Sequence, residues 1–384
     1  MVTTIHDVLA HRAHTDWSSL ADFDLGPGQV VAPGVEILRG NWSLYTLEKV
    51  RNSAIFVDLP VSCDLSESAF AYVDQHGLAQ RVMIVPFGEL AQMADQIAAP
   101  DHVIFLFSIG RCGSTLLSQA LNATPGVWSL SEPDAYSRLI LQNYNRSDRI
   151  DYSRAEVISL IRACTRLLFR PPAGRNARVF AVKFRSQALF QADLYHEALP
   201  EASCVFLYRD ALGWANSFYR MARKYGFPPL LTGDHRRDIW NTVTAADDLR
   251  KLTPFVDWEA DELPLEDALA PGWACNMQEY TRHLRDGVPF LALRYNEFNA
   301  DRLMSLQHLF RHCRLDPALA EKALSAFERD SQAGTLVARD AAADSLRPDQ
   351  VTRLRKLLAR HPDFGDPDGR LADVYGSPGV GGRN

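Results

Sequence analysis

Residues 101–121 read DHVIFLFSIGRCGSTLLSQAL. Val103 to Phe107 is an unbroken apolar run of β-formers, which suits a strand buried on both faces of a parallel sheet. Ser108 to Gly113 carries two glycines and one arginine and predicts a tight turn. Ser114 to Leu121 sets Leu116, Leu117 and Leu121 toward one face, so a helix is expected next. Strand, glycine loop and helix make a phosphate cradle, because loop N–H groups and the helix N-terminus converge on an anion. The nucleotide form of the motif, G-x-x-x-x-G-K-[ST], is only partly met. Ser108 stands at the first glycine, Gly113 at the second, Ser114 where the lysine belongs, and Thr115 last. Without that ammonium the loop makes a poor ATPase, and Arg111 is the cation inside it that can take the ammonium's place. The bland alternative is a strand-turn-helix with incidental glycines.

The chain has 384 residues, enough for a large core and two domains. Its net charge of −6 argues against nucleic acid as the main partner, so an anionic ligand must be met by a local cluster of arginines and lysines. The first residues, MVTTIHDVLAHRAHTDW, hold no apolar signal segment, and no apolar run reaches the length of a membrane span. The six cysteines are scattered with no C-x-x-C pair. The expectation is therefore a reduced, cytoplasmic chain. Cys112, in the loop, reads as a small space-filling residue.

Outward from the loop, residues 1–97 read as a separate α+β or mostly β unit without a catalytic constellation. A short helix is expected over His6–His14, β-rich runs over Glu36–Val50, Ser53–Val61 and Gln80–Val85, and a helix over Phe87–Ala98. Residues 98–384 read as the second domain. Gly126–Leu130 is a further strand that ends at Ser131-Glu132-Pro133, where proline favours an extended Glu132. Ile150–Phe169 is helical, Arg178–Lys183 a strand, Ala188–Leu199 a helix and Ala202–Tyr208 a strand. A helix with Trp214, Ser217 and Phe218 follows. This alternation predicts parallel β-α-β units, hence an α/β sheet with helices on both faces and strand ends turned to the ligand. Tyr225–Gly272 mixes prolines, acidic clusters and aromatics (Phe227, Trp240, Phe255, Trp258), as lids and substrate walls do. Trp273–Arg285 is helical, Pro289–Tyr295 a strand, and 301–328 and 348–360 helical. Asp330–Val337 is a polar loop, and the tail from Gly365 is expected to be poorly ordered.

From about residue 101 to 360 the chain resembles the P-loop sulfotransferases that use 3′-phosphoadenosine 5′-phosphosulfate, most closely their tyrosylprotein and bacterial branches. The resemblance is carried by Gly110-Arg111-Cys112-Gly113-Ser114-Thr115-Leu116-Leu117, by Ser131-Glu132-Pro133, by Lys183 at a strand end, by Leu207-Tyr208-Arg209-Asp210 with Ser217, and by Leu293-Arg294-Tyr295-Asn296-Glu297. Cys112 stands where serine is common, and Asn296 where an acidic residue is more usual. The resemblance implies a P-loop-type parallel sheet flanked by helices, preceded by the N-terminal unit. It implies Gly110, Arg111, Cys112, Gly113, Ser114, Thr115, Arg209, Ser217 and Tyr295 on the nucleotide, and Glu132, Lys183 and Arg111 in catalysis.

The chemistry agrees. Sulfuryl transfer asks the protein to position groups and to stabilise spreading negative charge. On this reading Arg111 and the N–H groups of Gly113, Ser114 and Thr115 surround the phosphosulfate, and Lys183 meets the leaving oxygen. Arg209 with Ser217 grips the 3′-phosphate, and Glu132 is the base; some sulfotransferases use a histidine there. Ser331, Gln332 and Thr335 either touch the nucleotide or simply form a loop. The donor is 3′-phosphoadenosine 5′-phosphosulfate, leaving as adenosine 3′,5′-bisphosphate, with no metal. The acceptor is a small molecule or a peptide offering a hydroxyl or amine, and a homo-oligomer is compatible with the sequence. Two other readings stay open: an ATP-dependent P-loop kinase or phosphotransferase, and a nucleotide-binding module without turnover.

Overall fold

The computed structural model describes residues 2–14, 17–143, 152–233, 235–236, 238–239, 257, 260–328 and 345–371. The chain forms two compact units. One comprises residues 1–105, 121–184 and 193–202, and the other 106–120, 185–192 and 203–384.

The first unit opens with an antiparallel sheet of β1 (Thr4–His11), β2 (Phe23–Leu25), β3 (Gln29–Val30), β4 (Trp42–Glu48), β5 (Ser53–Asp58) and β6 (Arg81–Pro86). The order is β2-β1-β6-β5-β4, with β3 also on β1. Helices α1 (Pro33–Arg39), α2 (Ala71–Leu78) and α3 (Phe87–Asp95) complete this α+β part. One expectation fails here. His6–His14 is not helical, because Thr4 to Asp7 pair with Ile84 to Arg81 of β6 and Ile5 is buried by that pairing. The β-rich run expected within Glu36–Val50 is β4, and helix precedes it. Pro33 at the first helical position starts α1, which caps at Gly40, and β4 begins only at Trp42.

The second sheet is parallel, with β7 (His102–Ser108), β8 (Val127–Ser131), β9 (Val179–Lys183), β10 (Ser203–Tyr208) and β13 (Phe290–Arg294) in the order β13-β10-β7-β9-β8. A short pair, β11 (Leu230–Leu231) with β12 (Leu263–Pro264), stands apart. β8 matches β9 from Val127–Val179 to Ser131–Lys183, and β10 matches β13 from Cys204–Phe290 to Tyr208–Arg294. Ile104 to Phe107 are fully buried, which is why β7 reads as continuous apolar sequence and not as an alternation. The expected α/β class holds. The connecting helices are α4 (Ser114–Asn122), α5 (Asp134–Asn143), α6 (Arg154–Leu168), α7 (Ala192–Ala198) and α8 (Ala211–Lys224). α6 starts later than Ile150 because Ser153 and Glu156 form a reciprocal capping box.

A helix was expected from Trp273 but runs from Leu265 to Arg285, through Pro271. Proline inside a helix costs about 3 kcal/mol, yet Leu265, Leu269, Trp273 and Met277 bury one face and outweigh it. The segment from Gly365 is also more ordered than expected as far as Leu371. The Pro367 carbonyl accepts from the Ala211 N–H at 3.0 Å, and the Leu371 N–H donates to the Tyr208 hydroxyl at 3.3 Å. Trp240, Phe255 and Trp258, and the loop with Ser331, Gln332 and Thr335, lie outside the described residues. Among the described residues no helix is long and apolar enough to cross a membrane.

Asp267, in the first turn of the helix Leu265–Arg285, gives a pH prediction. Burial pushes its carboxyl from 3.8 up to about 6 against the pull of Arg353, and Glu266 adds to the rise. Folded Asp267 therefore holds its proton more tightly than unfolded Asp267. The stability it confers is complete below about pH 4 and is lost as pH rises through 6. Asp267→Asn removes that loss. Its stability relative to wild type should rise by about 2 kcal/mol between pH 4 and pH 7, read from urea unfolding at each pH. A difference that does not change with pH would sink this account.

Candidate active site

In the second unit the loop after β7 runs through left-handed backbone. Gly110, Arg111 and Gly113 have φ of 70°, 51° and 83°. Left-handed residues of this kind turn successive N–H groups toward a common point, which is how backbone holds phosphate oxygens. The loop is pinned from below. The indole N–H of Trp214 donates to the Ile109 carbonyl at 3.0 Å, and the Cys112 thiol donates to the Leu207 carbonyl at 3.4 Å. Cys112 is buried, in keeping with a space-filling role. Ser114, in the lysine place, receives a hydrogen bond from the Ser108 hydroxyl at 3.3 Å. Gly113 is required twice over. Its φ is left-handed, and a Cβ there would stand 2.9 Å from the Tyr295 ring.

The guanidinium of Arg111 turns toward α8, where its Nε donates to the Ser217 hydroxyl at 3.2 Å. Ser217 is buried. Burial, then the neighbouring charges of Arg220 and Arg209, lower the Arg111 guanidinium from its usual value. Arg209, one residue past β10, lies with its guanidinium 4.7 Å from the centre of the Tyr295 ring. Its Nε is buried and makes no hydrogen bond, and the nearest oxygen of Asp210 is 3.9 Å away. Asp210 has its own work. One carboxylate oxygen accepts from the Gly213 N–H at 2.6 Å and so caps α8, and the other accepts from the Asn296 amide at 2.9 Å. Asn296 thus uses its amide as a donor to Asp210, a bond that an acidic residue there would have to protonate to make. A Cβ on Gly213 would fall 2.7 Å from Arg209 Nε, so this glycine leaves the guanidinium its room. Cys112, Gly113, Leu116, Leu207, Leu293 and Tyr295 also line a small cavity of about 10 Å³.

The first unit holds the remaining pair. Lys183 ends β9 and Glu132 follows β8, and the Lys183 ammonium donates to the Glu132 carboxylate. The Glu132 N–H donates to the Lys183 carbonyl at 2.7 Å, so backbone and side chains join the same two residues. The Lys183 side chain is 4% exposed and that of Glu132 16%. Phe70, at the start of α2, presents its ring 5.4 Å from the Lys183 nitrogen. Glu132 was expected to be extended because of Pro133, but its φ is 53°. The two bonds to Lys183 hold it there against a local preference that runs the other way.

The sequence reading missed three residues. Arg220 follows Ser217 by one helical turn, a spacing visible in the sequence. Gly213 and Phe70 act through contacts that have no local signature. Among the described residues no group of three or more His, Cys, Asp or Glu side chains is placed to hold a metal ion.

No protein-family model matches the chain, and no curated protein matches it. Solved structures do. A sulfotransferase from Alicyclobacillus acidocaldarius is 16% identical, covering 69% of this chain and 94% of its own, with a TM-score of 0.39. The sulfotransferase STF9 from Mycobacterium avium is 10% identical over 71% of this chain and 78% of its own, at 0.40. Mouse sulfotransferase SULT7A1, solved with PAP, is 15% identical over 73% of this chain and 92% of its own, at 0.34.

Proposed function

We propose that the protein is a sulfotransferase that takes its sulfuryl group from 3′-phosphoadenosine 5′-phosphosulfate and passes it to a hydroxyl or amine of a small molecule or peptide. One observation carries the reading. The left-handed loop, Arg111, Ser217, Arg209 and Tyr295 lie within a single unit, with the Arg111 guanidinium on the Ser217 hydroxyl, the Arg209 guanidinium on the Tyr295 ring, and Arg209 among the charges that act on Arg111. Like charges gathered in a half-buried place call for an anion of more than one charge.

The residues fit such a nucleotide. The N–H groups of Gly113, Ser114 and Thr115 suit the phosphosulfate end. The orphaned Arg209 Nε and the Ser217 hydroxyl suit the 3′-phosphate. Arg111, bonded to Ser217, joins the 3′-phosphate group as well as the loop. When bound, the donor supplies the sulfuryl group. To Glu132 we assign the removal of the acceptor's proton, a contribution of roughly a hundred- to ten-thousandfold in rate. To Lys183 we assign the charge on the leaving oxygen. Buried beside Phe70 and paired with Glu132, its ammonium is held in place, as a positioned cation must be. A kinase would need an ammonium where Ser114 stands.

Calorimetry with adenosine 3′,5′-bisphosphate and with ATP plus magnesium tests the class. Micromolar or tighter bisphosphate binding in the presence of a chelator is expected. A clear preference for magnesium ATP would replace the proposal with a phosphotransferase.

A further inference from the structure

Arg220 lies on α8 three residues beyond Ser217, and positions three apart on a helix share a face. Ser217 receives the Arg111 Nε, so the Arg111 guanidinium lies along that face. Burial, and after it the neighbouring charges of Arg220 and Arg209, lower the Arg111 guanidinium from its usual value. α8 itself offers Arg220 no counter-charge. Residues 211–224 read ALGWANSFYRMARK, without an acid, and the neighbours of Arg220 at three and four residues are Ser217, Asn216, Arg223 and Lys224. Asp210, the nearest carboxylate in sequence, is engaged by Gly213 and Asn296. Arg220 is half-buried, so water screens this gathering of charge only in part.

We propose that Arg220 is a third arginine of the nucleotide site, binding together with Arg209, Arg111 and Ser217 the phosphate monoester at the 3′ position. A monoester carries between one and two negative charges near neutral pH and three free oxygens. It is therefore the end of the nucleotide that can engage three guanidiniums and a hydroxyl at once, and it relieves their mutual repulsion. The inference rests on the donor reading above and adds to it a residue that sets discrimination between nucleotides with and without a 3′-phosphate.

The test is calorimetric titration of the full chain with adenosine 3′,5′-bisphosphate and with adenosine 5′-phosphate. Wild type should prefer the bisphosphate strongly. Arg220→Ala should weaken bisphosphate binding about tenfold and leave the 5′-phosphate within twofold. Arg220→Lys, keeping the charge but not the fork, should recover part of the loss. Arg223→Ala, on the same helix with its guanidinium on the Phe227 carbonyl, serves as the control and should change neither. If wild type shows no preference between the two nucleotides, the donor reading falls and takes this inference with it. If wild type prefers the bisphosphate and Arg220→Ala keeps that preference, the inference alone is overturned. Equal losses for both nucleotides would likewise overturn it. Circular dichroism of Arg220→Lys guards against a folding defect, since that variant keeps the stem and the charge.

Discussion

Arg209→Ala is expected to lose about a hundredfold in affinity for adenosine 3′,5′-bisphosphate and to bind adenosine 5′-phosphate within twofold of wild type. The size follows from what the side chain is set up to do. Hydrogen bonds to a charged group contribute about 1.5–3 kcal/mol, and an arginine fork makes two of them to one phosphate. At about 1.4 kcal/mol per tenfold, a loss near 3 kcal/mol is a hundredfold. The selectivity follows from place. Arg209 is stacked on Tyr295 at 4.7 Å, its Nε is buried without a hydrogen-bond partner, and Gly213 leaves it room at the start of α8. A guanidinium so held is preorganised for a single target, and only the nucleotide with the 3′-phosphate offers one. Arg209→Lys keeps the charge and loses the fork, so a loss of roughly tenfold is expected. The measurement is a pair of calorimetric titrations per variant. Equal losses for both nucleotides would remove Arg209 from its assigned role.

The parts of this chain that could be read without coordinates are those whose signal is local. β7 is legible because Val103 to Phe107 is buried on both faces, so its apolar run is continuous. The loop is legible because Gly110 and Gly113 occupy conformations that glycine tolerates. Arg209 and Ser217 are legible because strand, cap and helix fall in close succession. What stayed hidden depends on long-range pairing. β1 looked helical because its partners, Val82 to Ile84, lie nearly eighty residues away, and no window of sequence contains both. The helix from Leu265 looked shorter because Pro271 is a local stop signal that distant packing overrules. Glu132 looked extended because Pro133 is a local bias, whereas its φ of 53° is held by Lys183, fifty-one positions on. Arg111 was assigned to the phosphosulfate from its place in the loop, but its bond to Ser217 spans 106 positions and turns its guanidinium to the residue we assign to the 3′-phosphate. Candidate residues could thus be picked out one by one, while bonds such as Arg111 to Ser217 could not.

Glu132→Gln is expected to lower sulfuryl transfer by about a hundred- to ten-thousandfold while bisphosphate affinity stays within twofold. An amide keeps the shape and an acceptor oxygen but cannot take up a proton at neutral pH. The ion pair complicates a simple deletion, and its physics supplies the control. Lys183 is 4% exposed, so removing the carboxylate leaves a buried ammonium without its counter-charge. Breaking a buried pair from one side costs about 3–5 kcal/mol, and the lower end applies here because Glu132 retains some exposure to water. Lys183→Met should destabilise for the mirror-image reason. The double variant, Glu132→Gln with Lys183→Met, removes both charges and should recover much of the lost stability. Transfer from radiolabelled donor to a panel of phenol, alcohol and amine acceptors should nevertheless stay low in all three. Stability and turnover are thereby separated, because the double variant is restored in urea unfolding and still inactive. If the double variant regained transfer along with stability, the pair would be a structural tie, and the base and the leaving-group cation would have to be sought elsewhere.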